Sequence, residues 1–193
     1  MIGGLVLAAG AGTRFGRPKQ LAELEGRPLL EHALRTMAAA PLGRVVVVLG
    51  AAAEEILGMV DLHGAAPVVC DRWDEGQSAS LACGLASLAD AEAVVVTLGD
   101  QPRLSVEAIR RVVAGRAEGV SAVRASYGGE PGHPVLLERP MFERLRDVSG
   151  DRGARNLLRS VKTREVACDD LGGGEDVDTV AQLEALRTGN LPR

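Results

Sequence analysis

The sequence predicts an α/β protein of one domain, a three-layer α/β/α sandwich built around a mainly parallel sheet. Its 193 residues, of which 46% are hydrophobic, are enough for one buried core. Continuous apolar runs such as Val45–Leu49 and Val94–Val96 are typical of strands that are covered on both faces. Between these runs, apolar residues recur at helical spacing, so helices are expected to cover the sheet.

Six apolar runs are predicted as strands, and three amphipathic segments between them as helices. The strands are Ile2–Ala8, Val45–Gly50, Val68–Cys70, Ala93–Leu98, Ser121–Ala125 and Val135–Leu137. The helices carry apolar residues at Leu29, Leu30, Ala33, Leu34 and Met37, at Leu81, Leu85 and Leu88, and at Val106, Ile109, Val112 and Val113. The alternation implies right-handed crossovers, which place a ligand crevice at the carboxyl ends of the strands.

The pattern becomes less regular in the last third of the chain, where glycine and proline interrupt the apolar runs. We expect a β-hairpin-like lobe there, followed by a short helix at Met141–Arg146. The last helix is expected to begin with a capping box in which Thr179 is the N-cap and Gln182 reaches back to it.

Composition excludes two classes of partner. A net charge of −4 and the absence of a Lys/Arg run argue against a nucleic acid. No apolar stretch approaches the ~20 residues that span a bilayer, so we expect a cytoplasmic protein without a membrane partner. The cysteines Cys70, Cys83 and Cys168 form no C-x-x-C pair, and we expect all three to be reduced.

A glycine-rich segment, Leu7–Lys19, follows the first strand directly. Its small residues let the backbone approach an anion closely and point N–H groups at it. The candidate contacts are Leu7, Ala8, Ala9, Gly10 and Gly12, with positive charge from Arg14 and Lys19. The glycine spacing fits neither a dinucleotide fingerprint nor a P-loop, so an ordinary glycine-rich turn remains the alternative.

Carboxylates follow at two other places in the chain. Asp100 comes directly after the strand Ala93–Leu98 and its Gly99, where a Mg²⁺ ligand is expected, although an Asp before Gln101 and Pro102 also suits a simple turn. A second Mg²⁺ ligand is expected at Asp176 or Asp178, which lie on the same side of an extended segment. We favour Asp178, whose alternative role is a helix cap.

These motifs resemble the nucleotidyltransferases of the molybdenum cofactor and nucleotide-sugar superfamily. The matching patterns are L-A-A-G-x-G-x-R-x-G-x-P-K at residues 7–19, G-D-Q-P at residues 99–102 and D-V-D-T at residues 176–179. The resemblance implies a Rossmann-like fold of the nucleotidyltransferase type, with a small β-containing substrate lobe. It also implies that the glycine-rich segment holds a triphosphate, that Arg14, Lys19 and Asp100 are catalytic, and that Asp100 and Asp178 bind Mg²⁺.

The start of the second helix is expected at the segment Glu75–Leu81, which offers hydroxyl groups and free backbone N–H groups. The resemblance implies that Gln77, Ser78 and Ser80 lie against the nucleotide base. Simple N-capping by Ser78 is the alternative interpretation.

Three further patterns narrow the resemblance to the molybdenum cofactor cytidylyltransferases, over nearly the whole chain. They are G-R-P-K-Q-L at residues 16–21, P-G-H-P at residues 131–134 and G-D-R-G-A-R at residues 150–155. This implies transfer of CMP from CTP to the phosphate of molybdopterin, with His133, Asp151 and Arg155 on the acceptor side. The alternatives are that His133 is a loop histidine without a function, that Asp151 caps a helix, and that Arg155 is solvated.

The length and the change in pattern near residue 120 predict how the chain divides. We expect one domain over residues 1–193, with a nucleotide-binding half at about 1–118, an acceptor half at about 119–178 and a C-terminal helix and tail at 179–193. Expected partners are CTP, the molybdenum cofactor, and a molybdoenzyme or its maturation chaperone. Alternatives are a relative that uses GTP or another phosphorylated acceptor, such as a sugar phosphate or phospho-acid, and a non-catalytic cofactor-binding chaperone.

Overall fold

A computed structural model describes residues 1–12, 15–146 and 153–189. The strands are β1 (Ile2–Ala8), β2 (Glu23–Leu24), β3 (Arg27–Pro28), β4 (Val45–Leu49), β5 (Ala66–Val69), β6 (Ala93–Leu98), β7 (Ala122–Tyr127), β8 (Glu130–Glu138) and β9 (Thr163–Ala167). The helices are α1 (Leu29–Ala39), α2 (Ala53–Met59), α3 (Gln77–Ser87), α4 (Val106–Ala114), α5 (Pro140–Arg146), α6 (Gly153–Arg159) and α7 (Val180–Thr188).

Seven of these strands form one sheet, in the order β5-β4-β1-β6-β8-β7-β9. Strand β8 is antiparallel to β6 and β7, whereas the pairs β4–β5, β1–β4, β1–β6 and β7–β9 are parallel. The predicted mainly parallel sheet is confirmed, and the predicted hairpin is β7–β8, which extends this same sheet. Strands β2 and β3 form a separate small ribbon that the sequence analysis missed.

Helices cover both faces of the sheet, which confirms the three-layer sandwich. Val6, Val47 and Val95 face α1, α2 and α4 in one apolar cluster. Their neighbours along the strands, including Leu5 and Val94, face α3, α5 and α6 in the other. Because successive side chains of a strand point to opposite faces, continuous valine runs supply both layers of the core at once.

Strand β8 starts five residues before its predicted beginning. Proline lacks an N–H donor, so the segment from Pro131 to Pro134 reads as a loop in the sequence. In the structure, β8 pairs with β6 only from Val135 to Glu138. The prolines lie in the part of β8 that pairs with β7 alone, next to a register irregularity, where a missing donor is tolerated.

Helix α7 brings the end of the described chain back to its beginning. The predicted capping box is confirmed, with the Thr179 side chain accepting from the Gln182 backbone and the Gln182 side chain accepting in return. Val177 is fully buried in a third apolar cluster that also holds Phe15 and Leu29. This cluster therefore packs α7 and the segment before it against the residues that follow the glycine-rich loop.

The expectation of three reduced cysteines is wrong for two of them. Cys70 and Cys83 form a disulfide with their Cα atoms 6.0 Å apart, whereas Cys168 is free and buried. The two partners are 13 residues apart in sequence, and the fold brings them together by setting α3 against the end of β5. Within the described ranges, no helix has the length and apolar character needed to cross a membrane.

Candidate active site

The carboxyl ends of β1 and β6 form the centre of the candidate site. The two strands are parallel neighbours, with Leu7 opposite Leu98, and the Gly99 N–H donates to the Leu7 carbonyl oxygen at 2.9 Å. The chain leaves β1 toward β4 on one side of the sheet and returns as β6 on the other. Such a reversal of strand order opens a crevice for a ligand. The predicted loop after β1 and the predicted metal ligand Asp100 therefore lie at one edge of the sheet.

The buried amide of Gln20 holds the loop after β1. Its Nε2 donates to the carbonyl oxygens of Ala8 and Gly10, at 2.8 and 2.7 Å. Gln20 is only 3% exposed, so these bonds are shielded from competing water. This role is not predicted from the sequence, although Gln20 stands next to Lys19 in the G-R-P-K-Q-L pattern.

Gly12 fixes the other end of the loop. Its φ of +64° lies in the left-handed region, and a Cβ there would lie 2.8 Å from the Arg17 carbonyl oxygen. It would also lie 2.9 Å from the Lys19 backbone nitrogen. The backbone thus folds back closely over the residues that carry Lys19, which only glycine permits.

The ammonium group of Lys19 joins two carboxylates that are distant in sequence. Its Nζ donates to Asp100 Oδ2, and to Asp178 Oδ1 at 2.8 Å. Burial alone lowers the pKa of Lys19, but the charges of and hydrogen bonds to Asp100 and Asp178 outweigh it and raise the pKa above its ordinary value. Lys19 is therefore a fixed positive charge at neutral pH.

Asp176 has a different environment from Asp178. Its Oδ1 accepts from Gln101 Nε2 at 2.7 Å. Burial, and then the negative charge of Asp100, raises the pKa of Asp176 to about 6. Between the two aspartates, the Val177 N–H donates to the Asp100 carbonyl oxygen at 3.0 Å. Of the two candidates for the second metal ligand, Asp178 is the one that shares a cation with Asp100.

This donor set fits a divalent cation that is shared with a phosphate chain. Asp100 and Asp178 converge on one positive group, the Lys19 ammonium, which stands in for such a cation. Asp100 Oδ1 is buried without a hydrogen-bond partner and is therefore available as a ligand. Among the described residues, no group of three or more His, Cys, Asp or Glu is arranged to hold a metal ion. Mg²⁺ commonly takes one or two carboxylates and completes its shell with phosphate oxygens and water.

The start of α3 forms a second wall near this edge. The helix begins at Gln77 with Gly76 as its N-cap, at φ 107°, so the alternative of N-capping by Ser78 is wrong. Ser78 and Ser80 are buried, whereas Gln77 is exposed. The helix starts two residues earlier than an N-cap at Ser78 would allow, because glycine adopts the positive φ that this chain reversal requires.

Two contacts fix the segment before α3 to the sheet. The Cys70–Cys83 disulfide ties the chain just after β5 to the middle of α3. A Cβ on Gly50 would lie 2.7 Å from the Trp73 ring and 2.5 Å from the Ala9 carbonyl oxygen. Trp73 therefore packs on the backbone directly beside the loop after β1.

On the predicted acceptor side, His133 and Arg155 lie within electrostatic reach of each other. Burial, and then the positive charge of Arg155, lowers the pKa of His133 to about 4. His133 is part of β8 and not of a loop, so the alternative of a bland loop histidine is wrong about its location. It is neutral at physiological pH. Arg155 is exposed on α6.

Two predicted site residues, Arg14 and Asp151, lie outside the described residues. The remaining candidates fall into three places: the loop after β1 with Lys19, Asp100 and Asp178; the start of α3; and the pair His133 and Arg155. The first of these is held together by direct hydrogen bonds between side chains.

Sequence comparison assigns the family. A profile described as the MobA-like NTP transferase domain matches residues 4–166. The chain belongs to the MobA-like NTP transferase family. The matched region contains most of β1, the glycine-rich segment, Asp100 and both strands of the hairpin, but it ends before Asp176.

Relatives extend the similarity beyond the profile. The nicotine blue oxidoreductase of Paenarthrobacter nicotinovorans is 37% identical, over 95% of this chain and 95% of the relative. The purine catabolism protein PucB of Bacillus subtilis (strain 168) is 29% identical with the same coverage. The crystal structure of Rv0371c in complex with manganese, from Mycobacterium tuberculosis H37Rv, is 31% identical, with a TM-score of 0.84 over 97% of this chain and 98% of that chain.

Membership of the MobA-like family agrees with the predicted resemblance and identifies the chain as a nucleotidyltransferase of that family. A manganese complex of a relative also agrees with a divalent metal in this fold. Within the family site, the amides of Gln20 and Gln101 are the residues that sequence reasoning missed. Both are buried, and each orients a group that was predicted: the loop after β1 and the Asp176 carboxylate.

Proposed function

We propose that this nucleotidyltransferase is a cytoplasmic, Mg²⁺-dependent enzyme that transfers CMP from CTP to the phosphate of molybdopterin, releasing pyrophosphate and forming a cytosine dinucleotide cofactor. The proposal that this protein binds a metal ion and a triphosphate is supported by one observation. The Lys19 ammonium group bridges Asp100 and Asp178 beside the loop after β1. The choice of cytidine and molybdopterin is supported by the resemblance of residues 16–21, 131–134 and 150–155 to the molybdenum cofactor cytidylyltransferases.

In this reaction a phosphate oxygen of the acceptor forms a bond to the α-phosphorus of CTP, and the bond to the leaving pyrophosphate breaks. The nucleophile is already ionised, so the protein needs no general base. It needs in-line positioning and neutralisation of negative charge. When bound, Mg²⁺ supplies neutralisation of the triphosphate charge that one ammonium group alone does not provide.

The side chains divide this work. Backbone N–H groups of Ala9, Gly10 and Gly12 hold the triphosphate, and Arg14 and Lys19 add positive charge on it. Asp100 and Asp178 hold the metal ion. When the triphosphate enters, the Lys19 ammonium exchanges its carboxylate partners for phosphate oxygens.

The start of α3 and the pair His133 and Arg155 are assigned to substrate selection. Gln77, Ser78 and Ser80, at the start of α3, contact the cytosine base together with the end of β1. His133, Asp151 and Arg155 contact the pterin phosphate, for which a guanidinium group is a suitable bidentate donor. Residues 1–118 thus form the nucleotide half and residues 119–178 the acceptor half.

The first experiment measures pyrophosphate release by the purified protein with Mg²⁺ and each of the four nucleoside triphosphates, with and without molybdenum cofactor. We expect release with CTP only when the cofactor is present. Binding is followed separately by the fluorescence of Trp73, the only tryptophan, which packs beside Ala9. A response to GTP in place of CTP, or release with a sugar phosphate or phospho-acid as acceptor, would reassign the substrate within the same reaction class.

A second candidate function is an oxidoreductase, because the relative that is 37% identical over nearly its whole length is a nicotine blue oxidoreductase. The test is reduction of nicotine blue by a reduced nicotinamide donor, without nucleoside triphosphate. Reduction that persists in Asp100→Ala, together with no pyrophosphate release from any acceptor, would favour this activity over nucleotidyl transfer.

A non-catalytic cofactor carrier is the remaining alternative. A carrier has no use for a cation-bridged carboxylate pair beside a phosphate-binding loop, so the site argues against it. Tight binding of molybdenum cofactor without pyrophosphate release from any triphosphate would favour it. Capture of a molybdoenzyme or its maturation chaperone by the loaded protein would test the expected delivery partner in either case.

A further inference from the structure

Tyr127, the only tyrosine of the chain, lies at the end of β7 and contacts two functionally different segments. Its hydroxyl group donates to the His133 carbonyl oxygen at 2.9 Å. Its ring lies against the backbone of Gly132 on β8 and of Gly174 in the segment before α7. One side chain therefore joins the proposed acceptor strand to the segment that leads to the proposed metal ligands.

The contact with Gly174 is unusually close. A Cβ at this position would lie 2.7 Å from Cδ2 and 2.8 Å from Cγ of Tyr127, so only the bare backbone fits against the ring. The preceding Gly173 has a φ of +119°, and a Cβ there would lie 2.2 Å from the Arg103 carbonyl oxygen. The segment is thus confined between the Tyr127 ring and the backbone that follows Asp100.

This confinement reaches the carboxylates within four residues. After Gly174, the Val177 N–H bonds to the Asp100 carbonyl oxygen at 3.0 Å. Asp178 then accepts from Lys19 at 2.8 Å. A displacement of Gly174 would therefore move the carboxylate of Asp178 relative to that of Asp100.

The hydroxyl group of Tyr127 is a permanent donor. Burial, and then the negative charges of the Cys168 thiolate that forms at high pH and of Glu175, raises the pKa of Tyr127 to about 12. The bond to His133 therefore persists across the pH range in which an enzyme assay is run.

We propose that Tyr127 is a positioning residue that holds the acceptor strand at His133 and the metal-binding segment at Gly174 in one geometry. This inference rests on the proposed function, because it assigns acceptor binding to one contact and metal binding to the other. The hydroxyl group serves the acceptor side and the ring serves the metal side.

The two contacts are separated by two substitutions of the same residue. Tyr127→Phe removes only the hydroxyl group, and we expect the KM for the acceptor to rise about 3- to 10-fold, as for one lost hydrogen bond, with an unchanged Kd for Mn²⁺. Tyr127→Leu also removes the ring from Gly174, and we expect the Kd for Mn²⁺ to rise. Mn²⁺ binding is measured by electron paramagnetic resonance with the metal alone, as an apparent Kd that includes displacement of the Lys19 ammonium group from the two carboxylates.

Gly174→Ala tests the ring contact from the opposite side. The new methyl group would clash with the Tyr127 ring, so we expect weaker Mn²⁺ binding although the hydroxyl group is retained. In the Tyr127→Leu background, the same substitution should cost much less, since its clash is gone. Gly172→Ala is the matched control, because a Cβ at Gly172 would meet nothing within 4 Å, and it should leave Mn²⁺ binding unchanged.

Additive effects of Gly174→Ala and Tyr127→Leu, or an equal loss in Gly172→Ala, would overturn the proposal. An increase in the Kd for Mn²⁺ in Tyr127→Phe would do the same, because it would mean a general loosening of the fold. Thermal unfolding of each variant confirms that it is folded. The Mn²⁺ measurement needs neither nucleotide nor acceptor. A wild-type protein that binds Mn²⁺ as expected but releases no pyrophosphate would therefore contradict the proposed function and leave the metal-side result valid.

Discussion

The two halves of the molecule hold their proposed site residues in different ways. In the nucleotide half, the buried Gln20 amide fixes the loop after β1, and Lys19 bonds both Asp100 and Asp178, the last residue of the acceptor half. In the acceptor half, Arg155 is exposed on α6, and neither α6 nor β9 contains a fully buried residue among those described. Segments with little buried surface open more readily than core elements. The comparison indicates a preformed site for the triphosphate and a more adaptable contact on the α6 side of the acceptor site, where Arg155 lies.

The largest expected effect comes from the carboxylates of the preformed site. Asp100→Ala should lower the rate of pyrophosphate release by at least about 10²- to 10³-fold, as for loss of a group that stabilises transition-state charge. Asp178→Ala should cause the next largest decrease in this rate. The isosteric Asp176→Asn should cost less than about 10-fold, because Asp176 keeps its Gln101 neighbour and does not share the Lys19 cation. Steady-state kinetics at saturating Mg²⁺ check this order, and a larger loss in Asp176→Asn than in Asp178→Ala would contradict it.

The disulfide should stabilise the nucleotide half. Its removal in Cys70→Ser/Cys83→Ser should lower the free energy of unfolding by ~2–4 kcal/mol, as for other loops of similar length. The measurement is denaturant unfolding with and without a reducing agent, to which the double variant should be insensitive. Thiol titration of the unreduced, denatured protein should find Cys168 alone, and three titratable thiols would refute the prediction.

A smaller effect is expected from the amide that supports the loop after β1. Gln20→Leu leaves the carbonyl oxygens of Ala8 and Gly10 without their donor, which should cost ~1–3 kcal/mol of stability and raise the KM for CTP. Gln20→Glu should cost more, because an ionised carboxylate would face the same two carbonyl oxygens. Equal stability of Gln20→Leu and the wild type in denaturant unfolding would show that the loop does not depend on Gln20.

The smallest effect concerns the acceptor half. The pKa of His133 is lowered to about 4 by burial and by Arg155, so the unfolded chain binds a proton more readily than the folded one. The free energy of unfolding should therefore be unaffected by the titration of His133 above about pH 6.5, and should decrease as the pH falls toward 4 and His133 is protonated in the unfolded chain. His133→Gln should reduce the pH dependence in that window, as measured by thermal unfolding at a series of pH values. An identical dependence in the variant would show that His133 titrates normally.

Much of the fold could be predicted because the valine runs and helical spacings are local signals. The strands β1 and β6, the helices α1 and α4 and the Thr179 capping box follow from patterns within a few residues. The disulfide could not be predicted this way, since Cys70 and Cys83 are paired only by the packing of α3 on the sheet. The predicted strand Val135–Leu137 is shorter than β8 because proline and glycine are typical of loops. A strand that is paired on one side only tolerates both residues.

The candidate site divides in the same manner. The loop after β1, Lys19 and Asp100 follow strands, and parallel strands place such residues at one edge. The choice between Asp176 and Asp178 could not be made from alternation alone, because alternation puts both on one side of the segment and only the fold brings Asp178 to Lys19 and Asp176 to Gln101. The amide of Gln20 and the double contact of Tyr127 depend on distances across the fold, and no spacing in the sequence encodes them.

The cluster that joins α7 to Phe15 and Leu29 has a consequence for synthesis of the chain. Val177, Leu183 and Leu186 are among the last described residues to leave the ribosome, yet they cover residues that are made more than a hundred positions earlier, such as Phe15 and Leu29. A nascent chain can pair β1 with β4 and β6 early, but the apolar surface around Phe15 stays uncovered and Lys19 lacks one carboxylate until translation passes residue 178. The site is therefore completed only when nearly the whole described chain is available.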